Sequence, residues 1–389
     1  MSTDVVYLDY AATTPLDPRV GEFLQERFAT ASDFANPSSP HTAGRRAAAL
    51  VDAASEQLAA LVNCSPGELV WTSGATESNN LAILGGARYR QDRGRHLITM
   101  TTEHKAVIDS FRALEKQGFD VTWLPPESDG RLDPERLERA FRDDTSLVSV
   151  MYVNNETGVV QDIAAIGERC RRRDVLFHVD GAQGVGKLPV DLRAWPVDLL
   201  SMTAHKLYGP VGIGALYIAN RPRCHIEALM FGGGQQRRLR PGTLPVALIA
   251  AFGRAAAIAR EDMATDFEHV QTLAGRLWAG LQTVAGIVRN GDAGSCYPGI
   301  LNVGIDDVDG ESLLLALEPL CVGTGSACNS QTQEPSHVLR ALGRSDAQAE
   351  GTIRFSIGRM TSDADIDRAV ERYSAAVAHL RRLAPDRIA

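Results

Sequence analysis

The chain lacks a surplus of basic charge. Lysine and arginine number 40 against 48 acidic residues, a formal net charge of −8, so no global field gathers nucleic acid or an anionic membrane. The arginines at 171–173 read as a solvated helix face, and a second cluster stands at Arg237, Arg238 and Arg240. No apolar run is long enough to span a bilayer, and the opening MSTDVVYLDY has neither the basic nor the apolar part of a signal peptide. Direct membrane binding is therefore not expected. Cysteines are few and scattered, at 64, 170, 224, 296, 321 and 328, with no CxxC pair. That spacing argues against a zinc site and a disulfide framework, and predicts a reducing, cytoplasmic setting with no metal. Internal repeats and low-complexity segments are also missing.

What is present is a globular composition, 44% hydrophobic and 23% charged, in 389 residues, enough for two domains. The central stretch runs from Phe177 to Pro210. Its apolar runs Val175–Val179 and Val197–Met202 suit buried parallel strands. The first delivers Asp180, then Gly181 and Gln183; the second delivers Thr203, His205 and Lys206 before Gly209-Pro210. Open α/β sheets bind ligands beyond the carboxyl ends of their strands. A lysine amine and a carboxylate there suit pyridoxal phosphate, which needs the first for its imine and the second against its pyridinium nitrogen. Taken alone, the pair is more often an ordinary ion pair.

Elsewhere the pattern predicts an extended start over Val5–Pro15, a helix opening at Pro18, and an amphipathic helix over Gly44–Val62. The run from Glu68 to Asn80, ending in SGATESNN, gives a strand, a small-residue turn and a helix start. That arrangement can hold an anion, although ordinary capping looks the same. Strands are expected at His96–Thr101, Val121–Leu124, Ser146–Val153 and Val211–Ile218, making a doubly wound, mostly parallel sheet. His104 follows one strand end and Asn155 another. A long helix from about Val246 to Val284 is expected to break near Arg260–Asp266. Strands at Gly299–Ile305 and, alternating, at Thr352–Ile357, with a last helix opened by Ser362 and Asp365, complete a smaller α+β domain. Cys328 sits among small polar residues, as an accessible thiol would, whereas Cys321 reads as a small core residue.

Taken together, LDYAATTP, NPSS, SGATESNN, TEHKAV, NNETG, HVDGAQ, HKLYGP, GGGQ, RPGTLP, GSACNS and IRFSIGR stand in one order along nearly the whole chain. That order resembles the cysteine desulfurases, in the branch with a long catalytic loop and a GSAC motif. The resemblance implies a fold-type I, pyridoxal 5'-phosphate-dependent transferase. A large domain would span 15–255, and a small domain 1–14 and 256–389. Lys206 would carry the cofactor and Asp180 face its pyridinium nitrogen. His104 would stack on the ring and relay protons. Gln183 and Asn155 would lie near the phenolic oxygen, Asn155 also near the substrate carboxylate. Ala75, Thr76, Thr203 and His205 would hold the phosphate, and Thr243 would reach the phosphate of the other subunit of a homodimer. Arg354 would pair with the α-carboxylate of L-cysteine, and Cys328 would take its sulfur as a persulfide for a protein acceptor. The acceptor would serve iron–sulfur cluster assembly or the thio-modification of tRNA, DNA or a sulfur carrier. A selenocysteine lyase or another fold-type I enzyme is the alternative. Gln236, Pro241 and Asn329 depart from the family's usual residues.

Overall fold

The computed structural model describes residues 5–29, 35–324 and 335–383. Cys328 and Asn329 lie outside them. The extended start forms a short strand, β1 (Val6–Tyr7), and α1 (Pro18–Ala29) opens on proline as expected. Helix α2 (Thr42–Val62) buries Ala47, Val51, Ala54, Leu58, Leu61 and Val62; it is capped by His41 Nδ1, which accepts from Gly44 N, and stops at Asn63 in the left-handed region.

Among the described residues, seven strands form the large sheet. They are β2 (Leu69–Thr72), β3 (His96–Met100), β4 (Asp120–Leu124), β5 (Thr145–Met151), β6 (Leu176–Asp180), β7 (Leu199–Thr203) and β8 (Gly214–Ile218), in the order β2-β8-β7-β6-β5-β3-β4. Helix α3 (Ala75–Tyr89) leads from β2 into β3, and strands β3 to β7 run parallel, joined in part by helices α4 (Lys105–Glu115), α5 (Pro134–Ala140) and α6 (Ile163–Arg172). Only β8 runs against its neighbours β2 and β7. The stretch 204–213 before it is too short for a crossover, which takes about a dozen residues or more. Strands β5 to β8 are buried along their whole length, which explains their continuous apolar runs.

The chain then enters α7 (Val246–Leu281), 36 residues without a break. The interruption expected near Arg260–Asp266 is absent because nothing there stops a helix. The stretch has neither glycine nor proline, and both of its aspartates are paired: Asp262 with Arg19 at 2.8 Å and Asp266 with Arg359 at 2.6 Å. Two close approaches hold α7. A Cβ on Gly253 would stand 2.5 Å from Ala54 Cα, and one on Gly280 would stand 2.6 Å from the Val370 side chain.

A second sheet, antiparallel throughout, has the order β12-β13-β10-β9. It is built from β9 (Ile287–Asn290), β10 (Ile300–Ile305), β12 (Gly323–Thr324) and β13 (Thr352–Ser356). Strand β11 (Leu320–Cys321) pairs in parallel with β1. Around these lie α8 (Gly310–Leu317), α9 (His337–Ala341), α10 (Asp346–Glu350) and α11 (Asp363–Leu383). Ser362 and Asp365 exchange hydrogen bonds before α11, the expected capping box. Two expectations are corrected. Strand β13 does not alternate, because both faces are covered and even Arg354 is buried. Cys321 is half-buried at the short β11 edge rather than in the core. No helix among the described residues is long and apolar enough to cross a membrane.

Candidate active site

Three parallel strands end side by side, β5 at Met151, β6 at Asp180 and β7 at Thr203. Beyond them lies a cavity of about 490 Å³. Its walls bring together Asp180, Gln183, Thr203, His205 and Lys206 from the central stretch. From elsewhere in the chain they add His104, Asn155, Arg354, Ala75 and Thr76. Of the expected residues within the described segments, only Thr243 stands apart, exposed and outside the cavity.

Strand register fixes Asp180. Two residues earlier His178 is locked between Ser149 (2.8 Å) and Ser201 (2.9 Å) on the flanking strands, and burial holds this imidazole neutral with a pKa near 3. The Asp180 carboxylate accepts from Asn79 Nδ2 at 2.7 Å and from Ala182 N at 3.0 Å. Each oxygen keeps a lone pair for a further donor. Lys206, one short turn beyond β7, donates to Ala12 O at 2.7 Å and to Ala11 O. The N-terminal segment thus forms one lip of the cavity. Beside Lys206, His205 lies 3.2 Å from Thr13 Oγ1; burial, then the charges of Lys206 and Lys187, push its pKa down to about 4.

His104 caps α4: its Nδ1 accepts from Ala106 N at 3.1 Å, which leaves Nε2 to carry the proton of a neutral ring. Ala75 and Thr76 open α3, where the first N–H groups have no intrahelical acceptor and face an anion favourably. Thr203 Oγ1 donates to Ile213 O at 3.4 Å. Arg354 reaches in from β13. Its Nη1 donates to Asn155 O at 3.0 Å and its Nη2 to Asp9 Oδ1 at 2.7 Å, while its buried Nε has no partner among the described residues. Gly323 leaves room for it, since a Cβ there would stand 2.6 Å from Nη2 and displace the guanidinium.

Several residues of the site were not expected from sequence. Asn79 orients Asp180, and Asp9 holds Arg354. Glu103 is fully buried; its Oε1 accepts from Met151 N at 2.9 Å, and burial, with the charge of Asp180, holds its carboxyl well above the usual range. Glu156 accepts from Ser336 Oγ, and burial lifts its pKa to about 7. Asn79 had a signal: the polar pair Ser78-Asn79 falls on the buried side of α3. The others had none, because their roles depend on which strand ends meet.

A larger cleft of about 570 Å³, lined by Arg171, Arg193, Arg221, Arg223 and Trp195, lies at the opposite end of the parallel strands. It has no lysine or histidine beside its acid, so the chemistry belongs to the first cavity.

A strand-end acid, a neighbouring lysine and a buried arginine on one cavity define a class of transferase, and a profile described as aminotransferase class-V matches residues 6–369. The chain belongs to that family, and within it to the cysteine desulfurases. A cysteine desulfurase IscS from Enterobacter sp. (strain 638) is 52% identical over 381 residues, covering 98% of this chain and 94% of the relative. A solved NifS-like protein superposes with a TM-score of 0.90 at 33% identity, covering 97% of this chain and all of its own. A structure of SspA in complex with cysteine matches with a TM-score of 0.80 at 37% identity, over 90% of this chain and 98% of that one.

Proposed function

We propose that the protein is a pyridoxal phosphate-dependent cysteine desulfurase that converts L-cysteine to L-alanine and passes the sulfur, through Cys328, to a protein acceptor. The observation that carries this is the meeting of Asp180, Lys206 and Arg354 on one cavity. The residues fit the cofactor. Asp180 has acceptor capacity to spare, the α3 N-terminus and Thr76 offer donors to a phosphate, and the orphaned Nε of Arg354 awaits an anion. Bound there, pyridoxal phosphate would supply an electron sink that acidifies the substrate Cα–H.

Lys206 would carry the cofactor and, once displaced by the substrate amine, take the Cα proton. Asp180, held by Asn79, would keep the ring nitrogen protonated. Ala75, Thr76, Thr203 and neutral His205 would hold the phosphate. Gln183 and Asn155 would flank the phenolic oxygen, and His104 would cover the ring and carry a proton on Nε2. Arg354 would clamp the substrate carboxylate, a geometry suited to its planar fork. The Cys328 thiolate would then attack the substrate sulfur. An S–S bond forms as the Cβ–S bond breaks, and the carbon fragment keeps the electron pair and is protonated to alanine.

A homodimer belongs to this reading. Met230 and Phe231 expose large apolar side chains at the start of the segment leading to Thr243, which would complete the partner's phosphate site. That segment is tied to its own subunit: Gln236 Oε1 accepts from Trp71 N at 2.8 Å, and Arg240 pairs with Glu77 on the cavity wall at 2.9 Å. The two sheets would mark the large and small domains divided near residue 255. Work in the cytoplasm on behalf of iron–sulfur assembly or thio-modification completes the reading.

Replacing Cys328 by serine tests it. Cysteine should still shift the visible spectrum of the loaded protein, while alanine release falls to background and no persulfide forms. Cys321→Ser, at a half-buried position, should keep near-normal turnover. Undiminished alanine release by Cys328→Ser would overturn the assignment.

A further inference from the structure

Lys187 lies beside the site without a role in the reaction described so far. It follows Gln183 by four residues in a tight turn, closed by Val185 N to Gly181 O at 2.9 Å and Leu188 N to Gly184 O at 2.9 Å. Two glycines make that turn possible. A Cβ on Gly184 would stand 2.1 Å from the Tyr152 ring, and Gly186 has φ +80° with Leu207 Cβ 3.0 Å from where its own Cβ would be. Lys187 is half-buried. Nζ donates to Gln183 Oε1 at 2.8 Å and lies 5.9 Å from the centre of the Tyr297 ring.

This contact decides which way Gln183 faces. An ammonium has only donors, so the amide edge turned to Lys187 must be the oxygen. On the other side Gln183 Nε2 donates to Ala11 O at 2.8 Å, and a carbonyl only accepts. Both neighbours therefore demand the same orientation. The nitrogen has two protons; Ala11 takes one, and the second is left for an acceptor on the cavity side. Lys187 also reaches the site through its field. It helps depress the pKa of His205, and its own is pushed to about 7 by burial and by the charges of Lys206 and Arg354. Arg354 is compensated by Asp9, and Tyr297 is held neutral by burial. An anionic oxygen in the cavity would favour the charged lysine again.

We propose that Lys187 is a positioning residue: it fixes the Gln183 amide so that N–H, not C=O, meets the anionic phenolic oxygen of the cofactor, and it adds positive field at Lys206. The inference rests on the cofactor reading above. Without Lys187 the amide oxygen loses its partner and the Ala11 carbonyl alone is left to hold the orientation.

The test uses the cofactor-loaded protein, unsubstituted and as Lys187→Met and Lys187→Gln. Cofactor dissociation is measured by dialysis, the pH midpoint of the visible band by titration, and folding by the thermal midpoint. Lys187→Met should bind cofactor about tenfold more weakly, the scale of one charge-assisted hydrogen bond. Its band midpoint should rise by about one pH unit, because a nearby cation no longer opposes protonation. Lys187→Gln, which can still donate to Gln183, should keep most of the affinity and show the midpoint shift alone. An unchanged midpoint and affinity in Lys187→Met, with the band present, overturns the proposal. If Lys187→Met does not fold, an unshifted midpoint in Lys187→Gln overturns it equally. A missing band in the unsubstituted protein would instead bring down the cofactor reading, and this proposal with it.

Discussion

Asn79 Nδ2 donates to Asp180 Oδ2 at 2.7 Å, joining the second turn of α3 to the end of β6 across 101 residues of chain. The other amide atom, Oδ1, is buried without a partner among the described residues. The side chain is thus placed for what it gives to Asp180. Replacing it with leucine, close in volume, removes one of the two donors that aim the carboxylate. Turnover should fall about tenfold, the scale of one hydrogen bond to a charged group. Cofactor content should change little, and steady-state kinetics beside absorbance on the same sample separates the two. Equal turnover would mean that Ala182 N alone suffices.

Arg354 offers a second measurement. Lysine in its place keeps the charge but cannot hold Asn155 O and Asp9 Oδ1 while presenting a third donor. The KM for cysteine should rise about 10- to 100-fold, and kcat should fall less, because a ground-state clamp is lost. An unchanged KM would show that the substrate carboxylate is bound elsewhere.

Glu156 sets a pH dependence of stability. It keeps its proton to about pH 7 when folded, against an ordinary value of 4.5. Between those values the folded chain binds one proton more than the unfolded chain. This group's contribution is therefore full below about pH 4.5 and is lost as pH rises through about 7. Glu156→Gln stays neutral and can still accept from Ser336. Its thermal midpoint should fall less than that of the unsubstituted protein between about pH 5.5 and about pH 8.5. Parallel curves for the two proteins would show that Glu156 does not titrate in that range.

Much of this architecture is written in local pattern. The runs ending at Asp180 and Thr203 are buried parallel strands, and such strands carry continuous apolar sequence. His104 and Lys206 follow strand ends, so their shared cavity is legible once the sheet is parallel. What escaped is what depends on tertiary meetings. The unbroken α7 owes its middle to Arg19 and Arg359, residues far away in sequence that pair with its acids. Strand β13 reads as alternating because Arg354 is charged, yet Asp9 and Asn155 let that charge be buried. Cys321 has apolar neighbours in sequence, but it lies on a two-residue strand at the edge. Thr243 is expected to act across a subunit boundary, and a single chain leaves it exposed.

The pairing of Arg354 with Asp9 spans 345 residues, as does the bond from Ala11 N to Ser356 Oγ at 2.8 Å. The lip against Lys206 is thus buttressed by β13, the last strand among the described residues. A nascent chain that has made β6, β7 and the short turn beyond already holds Asp180 and Lys206, but not yet Arg354, the proposed carboxylate clamp. Contacts this distant form late. The wall of the cavity is therefore complete only after β13 has been made, whatever the state of the large sheet.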